Sequence, residues 1–206
     1  MKIGVIDYRA GNLRSVINAL KAVGCDGGMV VKSPGELERC DKIILPGVGA
    51  FPKAMAYLNE TGFVQALNEQ VVGRGKLFLG VCLGMQLIME MGHEGEKTPG
   101  LGWLRGAVTR FADTPGLSVP HVGWNDTRPV NSKAIMAGVP EGADFYYVHS
   151  FKVACCDSSD VAATCEYGEP FVAAVERGNV FGTQFHPEKS QHFGLRVLKN
   201  FVELPC

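Results

Sequence analysis

Three short stretches of the sequence hold residue types that can carry covalent chemistry. Gly80-Val81-Cys82-Leu83-Gly84 has the spacing of the nucleophile elbow G-x-S-x-G, with a thiol in place of the hydroxyl. Glycines at those positions permit a tight turn that pushes the side chain clear of the backbone. A helix starting directly after the turn would aim its N-terminal dipole at the sulfur and favour the thiolate. A thiolate nucleophile needs a base, and the base needs an orienting group. Gln184-Phe185-His186-Pro187-Glu188 offers both. The proline biases His186 towards an extended conformation. In an extended chain Glu188 can hold one imidazole nitrogen while the other faces Cys82. The third stretch is Ile43-Ile44-Leu45-Pro46-Gly47-Val48-Gly49-Ala50-Phe51. A glycine-rich loop there can point the Val48 N–H at a developing oxyanion, with the N–H of Leu83 as the second donor.

Each signal alone has a plain alternative. The pentapeptide equally describes a buried structural cysteine on a βα turn. An isolated His-x-Glu is usually incidental, and a glycine loop is usually an ordinary turn. The loop fits neither G-x-G-x-x-G nor G-x-x-x-x-G-K-[ST], which disfavours a nucleotide phosphate site. His186-Pro187-Glu188 also fits the H-x-E element of a zinc nucleobase deaminase, but no P-C-x-x-C follows it.

The elements that must position these residues follow from hydrophobic periodicity. Residues 2–6, 42–45 and 76–81 read as buried strands, and 29–31 as a weaker one. Leu13, Val16, Ile17 and Leu20 recur at helical spacing, as do apolar residues in 54–58 and 63–72. A helix is expected from Gly84 to about Glu90. This strand–helix rhythm implies βαβ units and a parallel sheet. Beyond Gly92 the stretches 103–111, 121–127, 145–153, 161–166, 171–175 and 180–185 are apolar or β-branched and punctuated by Gly, Pro, Asp and Asn. They read as strands and turns. Residues 193–204 close the sequence as an amphipathic helix with Leu195, Leu198 and Val202 on one face. The expectation is one α/β domain over residues 1–206. Cys82, Val48 and His186 each stand just past the end of a strand.

Composition narrows the class. The chain has 206 residues, 46% of them hydrophobic and 20% charged, with a net charge of −1. That balance gives no general attraction to nucleic acid or acidic membranes. The uncharged stretch 77–89 is shorter than the ~18 residues of a membrane span, and the N-terminus lacks a secretory signal pattern. Seven cysteines, odd in number and without a C-x-x-C pair, point to a reducing cytoplasm rather than a disulfide framework. Asn59 and Asn125 then match the glycosylation pattern by chance. His93 and His192 sit in polar settings and read as surface residues. His121 and His149, with Cys82 and His186, hint at a metal cluster, but no short ligand spacing supports one. Structural or interface roles are expected for them, with neither metal nor cofactor.

Taken together, residues 80–86 and 184–190 resemble the class I glutamine amidotransferases and their Cys-His-Glu triad. More narrowly the chain resembles the glutaminase subunits of imidazole glycerol phosphate synthases, from histidine biosynthesis. That resemblance rests on Gly11-Asn12-Leu13, Pro46-Gly47-Val48-Gly49, Gly80 to Gln86, Pro120-His121-Val122-Gly123-Trp124-Asn125, Val148-His149-Ser150 and Gln184 to Ser190. The triad marks only the class; the Gly47-Val48-Gly49 and His121 to Asn125 blocks narrow it. Arg9 stands where such proteins usually carry glycine.

The resemblance implies a flavodoxin-like, mixed and mainly parallel sheet flanked by helices, with extra antiparallel strands in the second half. It implies free glutamine as substrate, with Gly49, Gln86, Glu94 and backbone groups of Ser150 and Phe151 as contacts. Gln86 would meet the amino-acid end, Glu94 the α-ammonium, and the backbone groups the carboxylate. It further implies a heterodimer with a (β/α)8-barrel cyclase that uses the ammonia to form imidazole glycerol phosphate and the purine precursor AICAR. Trp124, Tyr146 and Lys189 would lie at or near that interface. Small subunits of anthranilate synthase and pyridoxal phosphate synthase are rivals within the class. A non-enzymatic scaffold would be favoured by loss of a triad member, and all three are present. Val48 is β-branched and disfavours the strained geometry expected of an inward N–H there, so activation by the partner is expected.

Overall fold

The computed structural model describes residues 1–8 and 11–206; the departure at Arg9 lies outside the described residues. In chain order the elements are β1 (Ile3–Ile6), α1 (Leu13–Ala22), β2 (Gly28–Val31), β3 (Lys42–Gly47), α2 (Phe51–Glu60), α3 (Phe63–Leu67), β4 (Leu77–Cys82) and α4 (Leu83–Leu87). There follow β5 (Met89–Glu94), β6 (Glu96–Pro99), β7 (Leu104–Arg110), β8 (His121–Pro129), β9 (Ala143–His149), β10 (Phe151–Cys155), β11 (Val161–Glu166), β12 (Pro170–Arg177), β13 (Val180–Thr183) and α5 (Gln191–Glu203).

A nine-stranded sheet runs β2-β1-β3-β4-β13-β12-β11-β8-β9. Its first five strands are mutually parallel and the rest antiparallel. Strand residues alternate between its two faces. Ile3, Val5, Ile44, Leu79 and Val81 face α1 and α5, in a core with Val16, Leu20, Val197, Leu198 and Phe201. Ile6, Ile43, Leu45 and Phe78 face the other way, onto Phe51, Leu58, Phe63 and Leu67 of α2 and α3. Both faces of the parallel strands are therefore covered, which is why these strands read as continuous apolar runs. A smaller sheet, β10-β7-β5-β6, closes one side.

Lys42 opens β3 with its side chain fully buried. Its Nζ donates to the carbonyls of Phe201 at 2.9 Å, of Val202 at 2.7 Å and of Leu204. A cation thus satisfies the otherwise open carbonyls at the C-terminus of α5. Burial lowers the Lys42 pKa, partly countered by Cys206, Cys25 and Asp41.

Three expectations need correction. The helix after Cys82 ends at Leu87, not near Glu90: the Leu87 and Ile88 carbonyls accept from Leu101, Trp103 and Leu104, and β5 joins the small sheet. Cross-chain pairing wins over the helical pattern there, and the elbow helix is too short to supply a full dipole. The helix over 63–72 is α-helical only to Leu67, then widens to π geometry over Asn68–Gly73. The stretch 145–153 breaks at Ser150 into β9 and β10, which belong to different sheets.

Candidate active site

The parallel register brings the three predicted stretches to one place. Gly47 pairs with Cys82 across β3 and β4, and Thr183 pairs with Val81 across β13 and β4. The chain leaving β13 therefore enters beside the elbow, and the loop leaving β3 flanks it. This is the carboxyl edge of the parallel strands, where open α/β sheets hold their ligands.

Cys82 sits at φ 54°, ψ −107°, a sparsely populated conformation for a residue with a side chain. Its glycine neighbours make the turn possible. A Cβ on Gly84 would collide with the Leu45 carbonyl, and one on Gly80 with the backbone of Gly84. The thiol lies 3.9 Å from the Val148 carbonyl and receives the Gln184 amide Nε2 at 3.6 Å.

His186 is buried, its backbone N–H bonded to the Tyr146 carbonyl at 3.0 Å and its own carbonyl to the Ser190 hydroxyl at 2.6 Å. Its Nδ1 meets Glu188 Oε1 at 2.9 Å, with both side chains shut from solvent. Nε2 is buried and makes no hydrogen bond of ordinary geometry, although it is near enough to Cys82 for the thiol to act on it. Burial alone would lower the His186 pKa. Interactions with Cys82 and Glu188 outweigh that and raise it to about 9. His186 is extended, as its proline neighbour dictates, but the chain then turns into a 3-10 segment over Pro187–Lys189. The pair is thus made across a turn rather than along an extended strand.

A cleft of about 270 Å³ opens over Cys82. Val48, Gly49, Leu83, Gln86, Glu94, Ser150 and Phe151, all singled out in the sequence, line it. The left-handed residue of the glycine loop is Gly49, at φ +112°. Gln86 is buried rather than on a helix surface, and its Nε2 donates to the Phe151 carbonyl at 3.0 Å and to Gln184 Oε1 at 3.1 Å. The Ser150 carbonyl accepts from Phe111 N–H at 3.1 Å. With both carbonyls engaged, the Phe151 N–H is what remains of this segment to meet an anion. In the alternating ladder of β10 and β7, Phe151 stands opposite Arg110, one step beyond the hydrogen-bonded Phe111–Ser150 position, so its N–H points away from β7.

Trp124 and Tyr146 do not join the core. Residues alternate along β8, so His121 and Thr127 are buried while Val122 and Trp124 stand 56% and 47% exposed. Trp124 meets Tyr146 edge-on at 6.1 Å, and Lys189 Nζ lies 5.5 Å over the Tyr146 ring. This ledge adjoins the cleft through Val148. His93 and His192 are exposed. Sequence reasoning missed Gln184 as a partner of the thiol and did not foresee that His121 and His149 form one buried network, His121 Nδ1 to His149 Nε2 at 3.2 Å. The largely apolar run Val180-Phe181-Gly182 before it, with Phe185 after it, was the available signal for its burial.

The model of the family "Glutamine amidotransferase class-I" matches residues 4–204. The chain is 46% identical over 202 residues to "Imidazole glycerol phosphate synthase subunit HisH 1" of Campylobacter jejuni, covering 98% of this chain and 100% of that protein. It is 48% identical over 199 residues to "Imidazole glycerol phosphate synthase subunit HisH" of Desulfitobacterium hafniense, covering 97% and 92%. Among solved structures, a glutamine amidotransferase aligns with TM-score 0.76 at 21% identity over 98% of both chains. PurLQS from Thermotoga maritima aligns with TM-score 0.74 at 23% identity over 98% of this chain and 97% of that one. These structural likenesses bear on the fold alone.

Proposed function

Because the chain belongs to the class I glutamine amidotransferases, and within them to the HisH subunits of imidazole glycerol phosphate synthase, we propose that it hydrolyses glutamine and passes the ammonia to a cyclase subunit. We read residues 1–206 as one catalytic domain working in a reducing, cytoplasmic setting. The observation that carries this reading is the placement of His186 between the Cys82 thiol and the buried Glu188 carboxylate.

In the proposed reaction Cys82 transfers its proton to His186, and the thiolate attacks the carboxamide carbon of glutamine. Charge on the carbonyl oxygen is met by the N–H groups of Val48 and Leu83. His186, held by Glu188, returns the proton to the departing amine, and ammonia leaves. His186 then takes a proton from water, which attacks the glutamyl thioester; glutamate leaves and the thiol is restored. Gln184 adds an N–H donor that orients the sulfur. Glu94 would pair with the α-ammonium of glutamine, Gln86 would offer its remaining amide oxygen to the same end, and backbone groups of Ser150 and Phe151, foremost the Phe151 N–H, would hold the carboxylate.

We place the cyclase, read as a (β/α)8 barrel, on the ledge of Val122, Trp124, Tyr146 and Lys189. Exposed apolar side chains beside a catalytic cleft suit a partner better than solvent. The products of the joint reaction would be imidazole glycerol phosphate and AICAR. The test uses the reconstituted complex and Cys82→Ala. Synthesis driven by glutamine should vanish while synthesis from ammonium salts persists. Glutamine turnover surviving in the variant would remove Cys82 from the mechanism.

A further inference from the structure

The Phe151 carbonyl lies at the end of a buried hydrogen-bond chain that the hydrolytic steps do not use. Asn125 Nδ2 is 3.3 Å from His121 Nε2, His121 Nδ1 is 3.2 Å from His149 Nε2, and His149 Nδ1 is 2.8 Å from the Phe151 oxygen. Both rings are buried, His121 stacked between Tyr147 and Tyr167 at 5.0 Å and 3.9 Å between centroids.

Proton positions along the chain are forced from both ends. A carbonyl only accepts, so His149 carries its hydrogen on Nδ1 and, when neutral, offers a lone pair at Nε2. His121 must then donate from Nδ1, which leaves its Nε2 as acceptor. At the far end the Asn125 group beside His121 also reaches the Glu166 carbonyl at 2.8 Å, so it must be the amide nitrogen, which donates to both. The two ends agree, and every polar atom of the chain is satisfied only if both imidazoles are neutral Nδ1–H tautomers. Burial holds His121 and His149 neutral, at pKa values of about 4 and about 3. The Phe151 hydrogen bond opposes that shift for His149, and His121 and His186 add to it.

On this basis we propose that His121 and His149 are positioning residues for glutamine. They fix the Phe151 carbonyl against Gln86 and so hold the Phe151 N–H towards the cleft. The inference rests on the glutaminase reading and deepens it. In a β segment the N–H and C=O of one residue point to the same side, so two donors gripping the Phe151 oxygen also orient its N–H. The Gln86 amide, which shares that oxygen, continues through Gln184 to the Cys82 sulfur. Loss of the relay should therefore weaken glutamine binding first and reach the thiol second.

The test compares His121→Asn with His121→Phe in the reconstituted synthase. Asparagine keeps a donor near the Nδ1 position but loses the stacked ring; phenylalanine keeps the ring and loses the donor. The proposal expects His121→Asn to hold the KM for glutamine within about twofold, and His121→Phe to raise it about tenfold, the value of one ordinary hydrogen bond, with a smaller change in kcat. Equal effects, or the reverse order, would show that ring packing is what counts and would overturn it. If neither variant folds, nitrogen NMR of the unaltered chain decides. Both rings must read as neutral with the hydrogen on Nδ1, and a hydrogen on Nε2 of either ring overturns the proposal. Absence of any glutamine hydrolysis by the unaltered complex would instead remove the glutaminase reading, whatever the tautomers.

Discussion

The Glu94 carboxylate accepts the backbone N–H of Phe51 at 2.7 Å. The residue that ends β5 therefore caps α2, whose own N-cap position, Ala50, has no side chain able to do so. That helix begins one residue after Gly47-Val48-Gly49, the proposed oxyanion loop. One carboxylate both faces the cleft and anchors the far end of the loop.

Substitution can separate these two duties. Glu94→Gln keeps an oxygen for Phe51 N–H but removes the charge that would meet an α-ammonium. Stability should stay near that of the unaltered chain while KM for glutamine rises roughly 10–100-fold, the range of a charge-assisted hydrogen bond. Glu94→Ala should raise KM similarly and also lose about 1 kcal/mol of stability with the cap. Urea denaturation beside glutaminase kinetics checks both. An unchanged KM in Glu94→Gln would take the ammonium away from this residue.

Cys82 is strained at the position where the proposed reaction places the nucleophile. At φ 54° and ψ −107° a side chain is disfavoured, whereas glycine is indifferent. Cys82→Gly and Cys82→Ala should both be inactive with glutamine. Cys82→Gly should nevertheless be the more stable by about 1 kcal/mol, because relief of strain exceeds the added freedom of its unfolded chain. Thermal unfolding of the pair measures the difference, and an alanine variant more stable than glycine would mean that the elbow stores no strain.

Much of this arrangement was legible from spacing. The Cys82 pentapeptide, the His186–Glu188 pair and the glycine loop each stand at or just past the end of a strand, and parallel strands end at one edge, so their convergence follows from topology. The long apolar runs of β1, β3 and β4 announced both faces as buried. What stayed hidden depends on contacts between distant segments. Nothing local says that Lys42 will cap a helix 159 residues later, or that Glu94 will cap α2. The helix after Cys82 looked longer than it is because Ile88, Met89 and Met91 suit either structure, and only their pairing with β7 decides. Likewise His121 and His149 lie on different strands, and a single-residue reading could place neither opposite the other; the register of β8 with β9 does.

Activity should have an alkaline limit set by His186. Its pKa is raised to about 9, against burial, by Cys82 and Glu188. The protonated ring that delivers a proton to ammonia should thus persist to about that pH. Because the folded pKa exceeds the ordinary 6.5, the associated stability is fully present below 6.5 and is lost as pH rises through about 9. Glu188→Gln removes one of the raising partners, so the alkaline limb of kcat/KM should move to lower pH and the rate should fall roughly 10²–10⁴-fold. A limb that does not move would detach Glu188 from the ring.

His121 and His149 act in the opposite sense. Their folded pKa values, about 4 and about 3, lie below 6.5, so the unfolded chain binds more protons between those limits. Stability should decline as pH falls from about 6.5 towards 4. His121→Phe, which keeps the stacked ring shape, should show a shallower decline over that window even if its stability at neutral pH is lower. Parallel slopes in urea titrations at several pH values would mean that His121 does not titrate on unfolding.

Lys42 offers the sharpest stability test. Its ammonium is buried at the start of β3 and bonded to three carbonyls at the end of α5. Lys42→Met keeps a stem of similar length and apolar character, so packing against Phe201 should survive. The carbonyls of Phe201 and Val202 would lose their donor inside the protein, where water replaces it poorly. The cost should be roughly 1–3 kcal/mol, the penalty for leaving buried acceptors unpaired, offset in part by no longer desolvating a cation. The urea midpoint should fall with the slope unchanged, and glutaminase activity of the folded fraction should be untouched, since Lys42 is at the opposite end of β3 from Gly47. A midpoint equal to or above that of the unaltered chain would mean that desolvation of the ammonium outweighs its three hydrogen bonds.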